Sequence, residues 1–317
     1  MKSLQAATLT LFLLSFIGPA LAGPDVPSKF TNRDSIANTR HNLTQQITGL
    51  NSSLMDTQRN QYEQVCVYCH TPHGANDTLD APLWNRTHLN TTYTTYDTLG
   101  TSTLTQAVSQ PGVNSLTCLS CHDGTVGIDS IINMPNANSA GTASGNYSAA
   151  QMTSQNNGFL DTWVNVSGSS AGHVTLGNSN EDGSNVGCMA CHSNSGSGAF
   201  FPQATDFRIF VIGTDLTNDH PVGITYPAAR TVGADADFNA TNGSLAGKMT
   251  WYDDDSDGRA QKDEIRFYDT GDGPEVECAS CHDPHGVPSG GAGSQFNATF
   301  LRTSNSGSAV CQTCHNK

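Results

Sequence analysis

Charged side chains are scarce in this sequence. Asp, Glu, Lys and Arg make up 13% of its 317 residues, against about 25% in typical domains. Basic residues are scarcer still, 14 against 28 acidic. With no basic stripe and no polybasic tail, the chain is not expected to meet nucleic acid or anionic lipid. Long apolar runs are also missing. The one candidate, Leu9 to Ile17, falls well short of the ~20 residues that a membrane span needs. Periodic patterning is weak, and over Asn136–Gly187 neither a helical nor a strand period can be read.

That short apolar run has a different use. Lys2 precedes it, and Gly18-Pro19 and the small-residue pattern Ala20-Leu21-Ala22 follow it. A positive start, a short apolar core and an A-x-A site predict a signal peptide over residues 1–22, with the mature chain starting at Gly23. Export to the extracellular space or cell surface is expected, with the periplasm as the alternative. Removing Lys2 leaves 13 basic residues against 28 acidic ones, a net charge of −15.

Asn, Ser, Thr and Gly fill the place of charge, Gly alone numbering 31. A chain of this kind has little apolar surface with which to offset the entropy of ordering it. Either it is largely disordered or something other than its side chains forms its interior.

The cysteines point to the second answer. All ten fall into five pairs of one spacing, each followed by His: Cys66 and Cys69 with His70, Cys118 and Cys121 with His122, Cys188 and Cys191 with His192, Cys278 and Cys281 with His282, and Cys311 and Cys314 with His315. C-x-x-C-H is the attachment site of c-type haem. Two thiols about one turn apart reach the two vinyl groups of a porphyrin, and the next residue brings an imidazole under the iron. Disulfides and zinc sites also use paired cysteines, but neither requires the His. With 11 His among 317 residues, five such coincidences have a probability of about 10⁻⁷. Five covalent haems would supply the missing apolar interior, as staples do in small scaffolds.

What occupies the far face of each iron decides the chemistry, since a second strong ligand favours electron transfer over substrate binding. Six His remain for five positions: His41, His73, His88, His173, His220 and His285. His73 and His285 stand in a shared C-H-x-P-H-G pattern. Three residues past the proximal ligand, each is badly placed for its own iron but can reach a neighbouring one. His41 and His220 are further candidates, His173 is a candidate for the third haem or a neighbour, and His88 is taken as the bystander. Methionine is the competing ligand, with Met55, Met134, Met152 and Met249 available.

Residues 253–264 satisfy D-x-D-x-D-G-x5-E in full. Asp253, Asp255 and Asp257 would give carboxylates to a calcium ion, Arg259 its carbonyl and Glu264 a bidentate pair, with Gly258 at the sharp turn. The alternative is a solvated acidic turn. Lys248–Tyr252 and Ile265–Tyr268 read as short strands rather than helices on either side.

The stretches CVYCHTPHGA from Cys66, APLWNR from Ala81, CLSCHDGTVG from Cys118, NDHPVGITY from Asn218 and RFYDTGDGPEVECASCHDPHG from Arg266 together resemble the OmcE-type extracellular cytochromes of metal-reducing microbes. The resemblance implies stacked bis-histidine haems in a mostly coil fold and head-to-tail polymerisation into a conductive filament, with one iron ligated from the next subunit. It carries over to the motifs at Cys66, Cys118, Cys278 and Cys311 and to His41, His73, His220 and His285. The motif at Cys188, in the Gly/Ser/Asn-rich stretch 131–205, departs from the four-haem pattern of that family.

The expected fold is one domain over 23–317, mostly irregular coil with short helices and a few short strands, organised around a stacked haem chain. The expected function is electron transfer rather than catalysis, to redox proteins or extracellular acceptors, through a filament or as a discrete shuttle. A reductase of a small oxyanion would need an open iron, often with Lys in place of a motif His, and all five motifs here end in His.

Overall fold

The computed structural model describes residues 30–43, 64–86, 91–101, 104, 106–133, 174–177, 187–193, 206–226 and 237–316. The signal-peptide segment, His88, His173 and most of 131–205 lie outside the described residues, as do Met55, Met134 and Met152.

Each C-x-x-C-H motif folds as one helical turn, because a turn is what brings residues three and four apart together. The first and third motifs form 3-10 turns, Val65–Tyr68 and Gly187–Ala190. The others lie on α-helices: α1 (Val113–His122), α2 (Cys278–Cys281) and α3 (Ala309–Cys314). In four motifs the N–H of the His closes the turn on the carbonyl of the first Cys, at 2.8 Å for His70, 2.9 Å for His192, 3.1 Å for His282 and 2.8 Å for His315.

Five short strands, β1 (Ile224–Thr225), β2 (Gly243–Leu245), β3 (Met249–Trp251), β4 (Arg266–Asp269) and β5 (Pro274–Val276), make one antiparallel sheet in the order β1-β5-β4-β3-β2. Its buried face carries Ile224, Tyr226, Ile265, Phe267 and Val276, with Val310 and Cys314 of α3 packed against it. Tyr226 and Phe267 stack at 3.9 Å. The sheet thus supports the last two motifs. A second small cluster, Tyr93, Leu119 and Leu216, supports α1.

These apolar clusters are small, and polar groups fill much of the remaining interior. Arg86, fully buried, follows the first motif and reaches into the second. It donates to Ser120 Oγ (3.1 Å) and to the carbonyls of Ser120 (2.7 Å), Gly127 (2.9 Å) and Ile128 (2.8 Å). Glu277, also buried, accepts from the Gly112 N–H (2.9 Å) and the Ser115 hydroxyl at the start of α1, while the Cys278 N–H donates to Ser115 Oγ (2.8 Å). The second and fourth motifs are joined through that carboxyl, which burial pushes up to about 7. Among the described residues no helix is long and apolar enough to cross a membrane.

Arg86→Met keeps most of the volume but leaves the buried carbonyls of Ser120 and Ile128 without their donor, while Gly127 keeps the Ser130 N–H at 3.1 Å. Each unsatisfied group costs roughly 1–3 kcal/mol, so equilibrium denaturation should show a loss of about 2 kcal/mol or more. A loss below about 1 kcal/mol would mean that Arg86 does not hold the two motifs together.

Candidate functional site

None of the ten cysteines is joined in a disulfide. Among the described residues, no three Cys or His side chains converge as a zinc site would need; the convergent metal-binding groups are acidic. The pairs do lie near one another. Cys121 is close enough to Cys69 to raise it further, beyond what burial does, to about 12. The thiols of Cys118 and Cys278 lie close enough together for each to perturb the other, raising the first and lowering the second. Cys281 lies near Cys311 and Cys314.

The imidazoles are held in a common manner. The Nδ1 atoms of His70, His122 and His282 face the carbonyls of Pro82 (3.1 Å), Phe210 (2.6 Å) and Thr299 (2.7 Å). Two of the other candidates do the same, His41 on Pro284 (3.1 Å) and His220 on Pro221 (3.1 Å). His285 Nδ1 instead faces Asp283 Oδ1 at 3.1 Å. A carbonyl only accepts, so in the first five the proton sits on Nδ1 and Nε2 keeps its lone pair, the arrangement of a metal-ligating His. Burial lowers His70, His122 and His282, favouring the neutral ring, while the Asp283 hydrogen bond raises His285.

Three ring pairs then face each other: His41 and His122 with centres 6.4 Å apart, His70 and His285 at 6.2 Å, and His220 and His315 at 6.5 Å. Two imidazoles sharing one metal have centres about 6 Å apart, since each metal–nitrogen bond is about 2 Å and each ring centre lies about 1 Å further. Each pair joins a motif His to a His from elsewhere in the chain, so the donor set and its spacing fit a bis-histidine haem.

Local structure explains why these rings stand where they do. In the pattern C-H-x-P-H-G, Gly286 has φ +87° and a Cβ there would lie 2.3 Å from the Phe296 ring. Gly74 has φ +64° in the first copy. A side chain at Gly286 would push the turn, and His285 with it, off Phe296. His73 is exposed, its carbonyl accepting from Asn133 Nδ2 (2.8 Å) and from the Thr71 hydroxyl (3.0 Å). His192 stacks on Phe207 at 4.0 Å, and the Phe207 N–H donates to the His192 carbonyl at 2.7 Å. Its expected partner His173 lies outside the described residues.

Other rings frame the site: Phe300 stacks on His41 at 4.4 Å, and Phe238 lies tilted against His315 at 4.9 Å. These Phe contacts and the carbonyl partners leave no mark in sequence spacing. Asp283 does leave one, as the difference between the C-H-D-P-H-G and C-H-T-P-H-G copies.

Between β3 and β4, the loop 253–264 gathers oxygen atoms. Ligand atoms of Asp253, Asp255 and Asp257 lie within 4.8 Å of one another, as do those of Asp254, Asp255 and Glu264. Asp253 and Glu264 are buried, and burial raises Glu264. The loop is shaped by its own amides: Asp257 and Gly258 donate to Asp253 (3.1 and 3.0 Å), Asp254 and Gln261 to Glu264 (3.1 and 2.7 Å), and exposed Arg259 to Asp257 (2.8 Å). An all-oxygen set of this kind suits a hard cation.

Residues 273–317, which hold the fourth and fifth motifs, match the family described as the doubled CXXCH motif. No curated protein matches the chain. The family match supports a multihaem c-type cytochrome: the C-x-x-C-H motifs mark covalently bound haem c, and haem c in this setting indicates electron transfer.

The ring planes give a spectroscopic test of the pairs. They lie 13° apart for His70 and His285, but 72° for His41 and His122 and 64° for His220 and His315. Parallel imidazoles split the iron dπ orbitals, and crossed ones leave them nearly degenerate. Electron paramagnetic resonance of the ferric protein should therefore contain both rhombic and strongly axial low-spin signals. Rhombic signals alone would contradict the crossed pairs.

Proposed function

We propose that this chain is an exported electron-transfer cytochrome that holds five bis-histidine haems and assembles head to tail into an extracellular filament. The observation that carries the reading is the set of three imidazole pairs at the separation that one iron requires. The leader pattern over residues 1–22 supports export, and the resemblance to OmcE-type cytochromes supports the polymer.

The ten motif cysteines would tether the five haems, with His70, His122, His192, His282 and His315 as proximal ligands. His285, His41 and His220 would complete the irons at the first, second and fifth motifs. Of the described histidines this leaves His73 for His282, and His173 remains the candidate for His192. Haems held by these residues would supply one-electron exchange between ferric and ferrous iron. The protein's part is to fix spacing, close both faces of each iron and shield the rings. Imidazoles anchored on backbone carbonyls, and in His285 on Asp283, would do the first two, and Phe207, Phe238 and Phe300 the third.

The purified chain should exceed its cleaved polypeptide mass by five haems and show only low-spin iron. A spectral shift on adding cyanide or nitrite would reveal an open iron and return catalysis to consideration. Electron microscopy of the sheared extracellular fraction should show filaments, and discrete particles would identify a soluble shuttle instead.

The loop 253–264 is read as a structural calcium site clamping β3 to β4. A ligand at 100 times its Kd stabilises the fold by about 2.7 kcal/mol, so calcium should raise the thermal midpoint and chelator should lower it. Glu264→Gln should abolish that difference, and an equal midpoint in calcium and chelator would leave the loop as a solvated acidic turn.

A further inference from the structure

The His285 imidazole is held differently from five others. The ring nitrogens of His41, His70, His122, His220 and His282 lean on neutral backbone carbonyls. His285 Nδ1 leans on a carboxylate, Asp283 Oδ1, at 3.1 Å. The same oxygen accepts the His285 backbone N–H at 3.0 Å, so ring and main chain are gripped together.

Asp283 is itself anchored. Its N–H donates to the Phe300 carbonyl at 2.8 Å. Its other oxygen faces Arg302 Nη1 at 3.4 Å. Arg302 is buried and fixed by bonds to the carbonyls of Ala279 (2.9 Å) and Lys262 (2.7 Å), so it restrains the carboxylate without reaching Oδ1. The first copy of the pattern differs at this point. Thr71 stands where Asp283 stands, and its hydroxyl donates to the His73 backbone carbonyl at 3.0 Å.

We propose that Asp283 is a positioning residue that lowers the reduction potential of the single haem held between His70 and His285, setting it apart from those whose imidazoles lean on carbonyls. This rests on the bis-histidine reading above. The physical cause is a charge-assisted hydrogen bond. A carboxylate accepting the Nδ1 proton shifts electron density toward Nε2, making that nitrogen a stronger donor, and a stronger donor stabilises ferric iron over ferrous. No atom is transferred; only the balance between the two oxidation states changes. Arg302 offsets part of the carboxylate charge from the far side, so the effect falls on the ring that Oδ1 touches.

Asp283→Asn in the full, haem-loaded chain preserves shape and an acceptor oxygen while removing the charge. Potentiometric titration followed by visible absorption should show one step moving to higher potential with the others in place, and Asp283→Glu should move it back toward the wild-type value. Unmoved steps would overturn the proposal, and so would a uniform shift of all steps, which a remote charge produces. Should the Asn variant fail to load haem, the wild-type protein decides the matter. The near-infrared magnetic circular dichroism band of ferric bis-imidazole haem moves to higher energy as imidazolate character grows. One component displaced to higher energy upholds the proposal, and a single undisplaced band overturns it. A wild-type chain without any low-spin bis-imidazole signature sinks the haem reading as well, whereas an intact signature with unmoved steps sinks this inference alone.

Discussion

An imidazole can serve a metal only if its lone pair points outward while the rest of the ring is held still, and this structure is arranged around that constraint. The turn from His282 to Gly286 concentrates it. His282 leans on Thr299, His285 stands opposite His70, and the Pro284 carbonyl between them holds His41 opposite His122. Proline has no N–H and a fixed φ, so its carbonyl sits on a short, stiff arm. Three imidazoles, each belonging to or facing a different motif, are therefore set by five consecutive residues.

The cost of that precision shows in the backbone facing the turn. Thr299 and Phe300 are non-glycine residues at φ 52° and 61°, in a region that such residues rarely occupy. Their carbonyls receive the His282 ring and the Asp283 N–H, and the Phe300 ring stacks on His41. Strain of this kind persists where the surroundings over-determine it, and it clusters at functional sites. Buried Arg86 and Glu277 belong to the same economy, since in a chain so poor in apolar side chains, hydrogen bonds to backbone groups locate the motifs relative to one another.

The parts of this arrangement that depend on residue type at fixed spacing were legible in the sequence. The five C-x-x-C-H motifs, the acidic loop and its two flanking strands are of that sort: Met249–Trp251 lies within the segment 248–252 read as a strand, and Arg266–Asp269 overlaps the segment 265–268, running one residue past it. Contacts between distant segments were not legible. Nothing in the spacing says that Phe210 supplies the acceptor for His122 or that β1 pairs with β5. Nor does it say that His285 faces the first motif rather than another, because that choice is made by chain paths 200 residues apart in the sequence and by the contacts of Phe296 and Phe300. The carbonyl partners are main-chain atoms, which every residue carries alike, so no residue type announces them.

The order in which the motifs touch bears on the third one, at Cys188, which departs from the four-haem pattern. Arg86 after the first motif bonds Ser120 of the second, Glu277 before the fourth accepts from the start of the helix carrying the second, and Cys281 lies near Cys311, an order of first, second, fourth and fifth. The third motif hangs beside the second. Its turn is tied to Thr175 and Leu176, the Ile128 N–H donates to Val174, and Phe207 joins His192 to the segment whose Phe210 holds His122. Among the described residues these ties all run to the flank of the second motif and none interrupts the line of the other four. An insertion that adds a site without breaking an existing line of contacts disturbs the least of what already worked. Among the described residues the motif at Cys188 thus stands as a branch beside the other four motifs and leaves their contacts with one another unbroken.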